Sequence, residues 1–370
     1  MLPAMQQTAL LLANDHFQTV YAKSSHGLVR GPSRWPVVGV IDAGCAGRDA
    51  GEVLDGKHRD IPIFASVAQA VAACDVQPTH CIVGVATVGG VLPPSLKESL
   101  EDAARMGMTL VNGLHHLISE DEPELAKLVA DNGGEVLDIR KPPRAKDLHF
   151  WSGEILKLET PRVAVLGTDC ALGKRTTTGF LRQELQDAGY RAEMIYTGQT
   201  GWLQGYRHGF IFDSCPNDFV CGEMERAILE CASDTGADLI LLEGQSSLRN
   251  PSGPCGAEFL LSGAVSGVIL QHAPGRRCYE GLEEEDCRIH SLESEIELMG
   301  LYGIPVWAVG IHTEGLTDDE AEAHRAAYEE KLGIPVVLPI RDGVSRIAEA
   351  VAEKLGLEKR SDGLENRGEA

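Results

Sequence analysis

The stretch from Arg162 to Thr176 constrains this chain more than any other. Arg162-Val163-Ala164-Val165-Leu166 is an apolar run of strand length. After it come Gly167, Thr168, Asp169, Cys170, Ala171, Leu172, Gly173, Lys174, Arg175 and Thr176, with a helical pattern starting near Lys174. A buried strand that feeds a glycine-bounded turn and then a helix leaves backbone N–H groups pointing into one concavity, where the helix dipole also favours an anion. That is a phosphate cradle. The usual pattern has four residues between its glycines and a Ser or Thr directly after the lysine. Here there are five, and Arg175 takes the place of the hydroxyl, with Thr176 one step late. The hydroxyl that would hold magnesium is displaced, so no metal site is expected.

The rest of the chain alternates short apolar runs with helix-length segments. Val37–Ile41, Ile61–Phe64, His80–Ala86, Met108–Val111 and Glu135–Ile139 read as strands, with helices over Val67–Ala73, Pro94–Met106 and Pro123–Asn132. Residues 1–36 read as an irregular lead-in with one short strand near Gln18–Ala22. Lys141-Pro142-Pro143-Arg144 breaks the pattern, because two prolines forbid continued helix. Beyond it, strands are expected at Arg162–Leu166, Ala192–Thr197, Asp238–Glu243, Val265–Gln271, Pro305–Ile311 and Pro335–Leu338. Such alternation implies parallel sheets covered on both faces. The expected class is α/β with two domains, a Rossmann-like one over residues 1–145 and one resembling P-loop NTPases over 146–370. Asp42 and Gly89-Gly90 follow strands of the first domain, but neither belongs to a dinucleotide fingerprint, so both read as structural. The charged tail from Gly356 to Ala370 reads as frayed.

Composition narrows the partners. With 33 basic against 55 acidic residues the net charge is −22, which repels nucleic acid and anionic membranes. No apolar run is long enough to span a bilayer, and the N-terminal stretch lacks the basic start of a secretory signal, so a cytoplasmic location is expected. The ten cysteines include no C-x-x-C pair and read as reduced, mostly buried thiols. A small-molecule substrate and a homo-oligomer are expected.

Ligands of open parallel sheets bind outside the carboxyl ends of the strands. In the second domain that edge gathers the cradle and the loops holding Gln199, Gln245, Ser246, Arg249 and Arg276. Lys174 reaches an anion as a mobile point charge. Glu243 closes an apolar strand, where it can hold Mg²⁺ or act as a base. His272 is a second candidate base and Asp213 an open third, whereas Asp218 reads as a helix N-cap. Arg276 and Arg277 can clamp a carboxylate. Cys170 lies where a helix N-terminus lowers a thiol pKa, but without a paired histidine it reads as structural.

The motifs Gly-Thr-Asp-Cys-Ala-Leu-Gly-Lys-Arg-Thr, Gly-Gln-Thr-Gly, Glu-Gly-Gln-Ser-Ser-Leu and His-Ala-Pro-Gly-Arg resemble those of one family. It is a two-domain group long catalogued as of unknown function, which includes the D-glutamate N-acetyltransferases of the DgcN type. The similarity extends to Val37–Asp42 and Val111–His116. The resemblance implies acetyl transfer from acetyl-CoA to the amine of D-glutamate, with the loop Gly167–Thr176 holding CoA phosphates. On that reading Glu243 or His272 is the base, and Arg276 or Arg249 meets the substrate carboxylate.

Two other readings stay open. A Gly-Thr-Asp loop followed by a strand ending in Glu-Gly is also similar to dethiobiotin synthetase, an ATP- and Mg²⁺-dependent ligase, whose relatives include kinase-like enzymes. A nucleotide-sensing protein without turnover is the third.

Overall fold

The computed structural model describes residues 7–358. The chain divides into two compact units. One runs through Arg144 and includes Gly198–Arg207; the other comprises Ala145–Thr197 and the chain from His208 onward. Both are built on sheets in which every strand pairing among the described residues is parallel.

The first unit holds β1 (Ala9–Leu12), β2 (Val37–Ile41), β3 (Ile63–Phe64), β4 (His80–Val83), β5 (Thr109–Asn112) and β6 (Val136–Asp138), in the order β3-β2-β1-β4-β5-β6. That is the strand order of dinucleotide-binding folds, reversing direction at β1. The expectation for residues 1–36 is therefore corrected. Ala9-Leu10-Leu11-Leu12 is the central strand, fully buried, with Leu11 paired to Val40 on one side and Ile82 on the other. It is continuously apolar because helices cover both faces of the sheet. The strand expected near Gln18–Ala22 is instead a 3₁₀ turn at Val20–Ala22 leading into a helix at Lys23–Arg30. Asp42 is indeed structural, accepting from the amides of Phe17 (2.9 Å) and Cys45 (3.1 Å).

The second unit holds β7 (Arg162–Gly167), β8 (Ala192–Tyr196), β9 (His208–Gly209), β10 (Leu239–Glu243), β11 (Gly267–His272), β12 (Val306–Ile311) and β13 (Val336–Val337), in the order β13-β12-β11-β7-β10-β8-β9. Six of these were expected, and β9 was not. Side chains alternate along each strand, so β7 sends Val163 and Val165 to one face and Ala164 and Leu166 to the other. Val163 and Val165 pack with Leu181 and Leu185 of the helix Lys174–Asp187 and with Ile347 and Val351 of the helix Ser345–Leu355. Ala164 and Leu166 pack with Met224 and Ile228 of the helix Asn217–Thr235 and with Leu292 and Met299. Burial on both sides of the sheet fixes where β7 ends, and with it the position of the loop that follows. Within the helix Asn217–Thr235, Asp218 lies in the first turn, and Pro216 rather than Asp218 holds the N-cap position. The tail from residue 359 onward lies outside the described residues. The ten cysteines are free thiols, and no helix among the described residues is long and apolar enough to cross a membrane.

Candidate functional site

The chain leaves β7 toward β8 on one side of the sheet, whereas β11 leads to β12 on the other. The crevice outside the carboxyl ends of β7 and β11 is therefore the switch point at which open α/β sheets bind ligands. The loop Gly167–Gly173 lies there. Ala171 and Gly173 take left-handed backbone conformations, with φ of 53° and 81°, and the helix begins at Lys174 without a side-chain cap. Among the described residues, the amides of Cys170, Ala171, Gly173 and Thr176 find no acceptor, while Leu172 closes a turn onto Asp169. Four unmatched donors at a helix N-terminus form the concavity that suits an anion.

Lys174 is mostly buried under this loop. Its Nζ donates to the carbonyls of Asp169 (2.6 Å) and Ser246 (3.0 Å), so its charge is held at the loop's base. A Cβ on Gly167 would stand 3.2 Å from that Nζ, which is why the strand ends in glycine. Ser246 holds a φ of 25°, a strained backbone that brings its carbonyl to Lys174.

Glu243 closes β10, the neighbour of β7 on the side opposite β11. Its Oε2 accepts from the Thr197 amide at 3.1 Å, and its carbonyl accepts from Thr197 Oγ1 at 2.6 Å. Gln245 Nε2 donates to the same hydroxyl at 2.9 Å. The end of β8 is thus pinned to the end of β10.

His272 closes β11 and is only 5% exposed. Its Nδ1 shares a hydrogen bond with Thr168 Oγ1 (3.0 Å) and its Nε2 another with the Tyr328 hydroxyl (3.3 Å). Burial pushes the imidazole down to about 4, so it is neutral at pH 7.

Other sequence candidates are placed differently from expectation. The Arg276 guanidinium is engaged by Asp169 Oδ2 (2.8 Å), by the Cys170 carbonyl (2.9 Å) and by the Glu314 carboxylate. Arg249 Nε donates to buried Glu295 at 2.9 Å and its Nη2 to Ser294 at 3.0 Å. Burial raises Glu295, although Arg249 opposes this. Both arginines are thus paired with protein carboxylates. Arg277 is exposed and pairs with Asp286. Asp213 lies on an exposed turn after the edge strand β9, three strand spacings from β7, or roughly 14 Å. The Gly198–Gly201 segment opens a short helix, Gln199–Leu203, that belongs to the first unit, where Gln199 Oε1 accepts from Arg140 Nη2 at 2.9 Å. Cys170 Sγ lies 3.6 Å from Ser246 Oγ.

Sequence reasoning overlooked Asn250, Glu280 and Glu314. Asn250 Nδ2 donates to Asp169 Oδ1 at 3.0 Å, and the Glu280 amide to Asp169 Oδ2 at 2.8 Å. The sequence signal was Asp169 itself, an acid inside an anion-binding loop, which calls for donors to neutralise it.

A family profile described as a domain of unknown function, the DUF1611 P-loop domain, matches residues 149–348, and its Rossmann-like N-terminal companion matches 43–142. A protein called D-glutamate N-acetyltransferase from Tritonibacter scottomollicae is 31% identical over 280 residues, which is 73% of this chain and 80% of that protein. One of the same name from a Pseudoalteromonas species is 29% identical over 273 residues, covering 72% and 79%. The crystal structure of a DUF1611 family protein from Anabaena variabilis superposes with a TM-score of 0.83 at 28% identity, over 94% of this chain and 99% of that one. Matched in both halves, and sharing its architecture with a solved member along nearly its whole length, the chain belongs to the DUF1611 family.

Proposed function

We propose that this chain is an N-acetyltransferase that moves the acetyl group of acetyl-CoA to the amine of D-glutamate, using the loop Gly167–Thr176 to hold the CoA phosphates. The observation that carries the reading is the set of four unmatched amides above Lys174 at the β7/β11 switch point, in a chain whose relatives are called D-glutamate N-acetyltransferase. CoA brings a pyrophosphate that such a cradle can bind without cleaving it.

The substrate ammonium must lose a proton before its nitrogen can attack the thioester carbon. The C–S bond then breaks and CoA leaves as the thiol. Of the two candidate bases, Glu243 suits this task better. Both side chains are buried, His272 at 5% exposed and Glu243 at 4%. His272, however, is a weak base, depressed to about 4 by burial, and is engaged at both ring nitrogens, whereas Glu243 stands at the end of the strand beside β7. Lys174 and the loop amides supply the positive potential that keeps the phosphates in place, and the thioester is presented along the same edge.

The test is to incubate the protein with acetyl-CoA and D-glutamate, following free thiol release and N-acetyl-D-glutamate, with L-glutamate and D-aspartate as comparators. Release that depends on D-glutamate is expected. Absence of product across a range of salt would remove this reading, and ADP release that requires both Mg²⁺ and substrate would replace it with the ATP-dependent one.

A further inference from the structure

The side chain of Asp169 is fully buried within the anion-binding loop, and both of its oxygens are used. Oδ1 accepts from Asn250 on the loop after β10. Oδ2 accepts from Arg276 and from the Glu280 amide, both on the loop after β11. The same Arg276 donates to the Cys170 carbonyl inside the cradle and, through Nη2, to Glu314 on the loop after β12. One carboxylate and its arginine therefore join the loops that follow β12, β11, β7 and β10, four consecutive strands of the sheet.

We propose that Asp169 and Arg276 form a positioning pair that shapes the anion-binding edge and touches neither substrate. An unneutralised carboxylate beneath a phosphate site would repel its ligand and would be costly to bury. Arg276 cancels that charge while its contact with the Cys170 carbonyl keeps the loop amides facing outward. The role of Arg276 is thus electrostatic and internal, which separates it from the substrate-carboxylate clamp its sequence position suggests. The inference rests on the proposed anion site and remains testable without turnover.

The experiment compares wild type, Arg276→Gln, Asp169→Asn and the double variant. Removing the arginine alone leaves the buried charge, so Arg276→Gln should raise the KM for acetyl-CoA about tenfold, with the KM for D-glutamate and kcat nearly unchanged. Adding Asp169→Asn removes the stranded charge and should restore most of the loss. A rise in the KM for D-glutamate instead, or no recovery in the double variant, would overturn the pair. Titration with inorganic pyrophosphate reads the same coupling independently of acetyl transfer. Weaker binding in Arg276→Gln with recovery in the double variant supports the inference even if no acetyl transfer is found. Equal affinity in all four proteins, or no binding by wild type, overturns it. Should Arg276→Gln not fold, Asn250→Ala, which removes one neutral donor from Asp169, should weaken pyrophosphate binding while leaving the KM for D-glutamate unmoved; unchanged pyrophosphate affinity there would overturn the pair.

Discussion

Thr168 Oγ1 stands 3.0 Å from Nδ1 of His272, joining the first residue after β7 to the last residue of β11 across the switch point. With the Tyr328 hydroxyl on the other ring nitrogen, the imidazole is a buried cross-link. Burial depresses its pKa to about 4, with Glu293 opposing and His324 reinforcing the shift. The unfolded chain binds a proton on this residue below about 6.5, whereas the folded protein does so only near 4. Stability is therefore lost as pH falls from about 6.5 to 4, by about 3 kcal/mol from this group alone. His272→Gln should flatten that limb of a stability-against-pH curve measured by urea unfolding, while leaving most of the turnover. Loss of turnover in a variant that folds would return His272 to the list of bases.

Glu243→Gln should behave in the opposite way. The amide oxygen can still accept from the Thr197 N–H, so the pinning of β8 to β10 survives in part. What is lost is proton acceptance, which is worth roughly 10²- to 10⁴-fold in a general base. Expected is a fall in kcat of that order with a KM for acetyl-CoA within a few-fold of wild type. An unchanged kcat would remove Glu243 from the chemistry.

The architecture was legible because six of the seven strands of the second unit lie in apolar runs bounded by turn residues, and because the cradle announces a strand-to-helix junction. The other strand, β9, is the two residues His208-Gly209 and carries no such signal. Ala9-Leu10-Leu11-Leu12 was equally legible as a buried strand, yet its place near the start of the chain invited a reading as lead-in. Position carries no physical weight against a run of four residues buried on both faces. The candidate site was legible only as a set of strand ends. Whether an arginine at such an end faces a ligand or a carboxylate depends on residues far along the chain: Glu314 is 38 positions from Arg276, and Glu295 is 46 from Arg249. Gln199 shows the same limit, since nothing local assigns its helix to the first unit.

Gly222, inside the helix Asn217–Thr235, marks a contact that no side chain could allow. A Cβ there would lie 1.9 Å from the backbone oxygen of His149. Gly222→Ala gains helix propensity but forces the 149–155 segment off the helix, so a net loss of about 1–3 kcal/mol is expected. Chemical denaturation would measure it, and a variant as stable as wild type would show that the segment is free to move.

The same segment is held by two buried carboxylates, and that gives its attachment a pH dependence. Glu223 Oε1 accepts from the His149 amide (3.0 Å) and meets its Nδ1 at 2.8 Å, while Oε2 takes Arg226 Nε at 2.8 Å. Glu225 accepts from the amide and hydroxyl of Ser152 and from the Ile155 amide. Burial pushes both carboxyls up, but these hydrogen bonds outweigh it and hold both below the ordinary glutamate range. Groups depressed on folding contribute stability that is fully present above the unfolded value, about 4.3, and is lost as pH falls through the folded one. Trp151, whose Nε1 donates to the Ser262 carbonyl at 3.3 Å, sits inside the segment and reports its release. Acidification below about pH 4.3 should therefore shift tryptophan emission and open a protease-sensitive site between residues 149 and 155. Glu225→Gln should weaken the attachment at neutral pH by about 1–3 kcal/mol, because a charged acceptor of three donors becomes a neutral one. It should also make release less dependent on pH. Emission that follows the same acid titration in wild type and Glu225→Gln would assign the release to other groups.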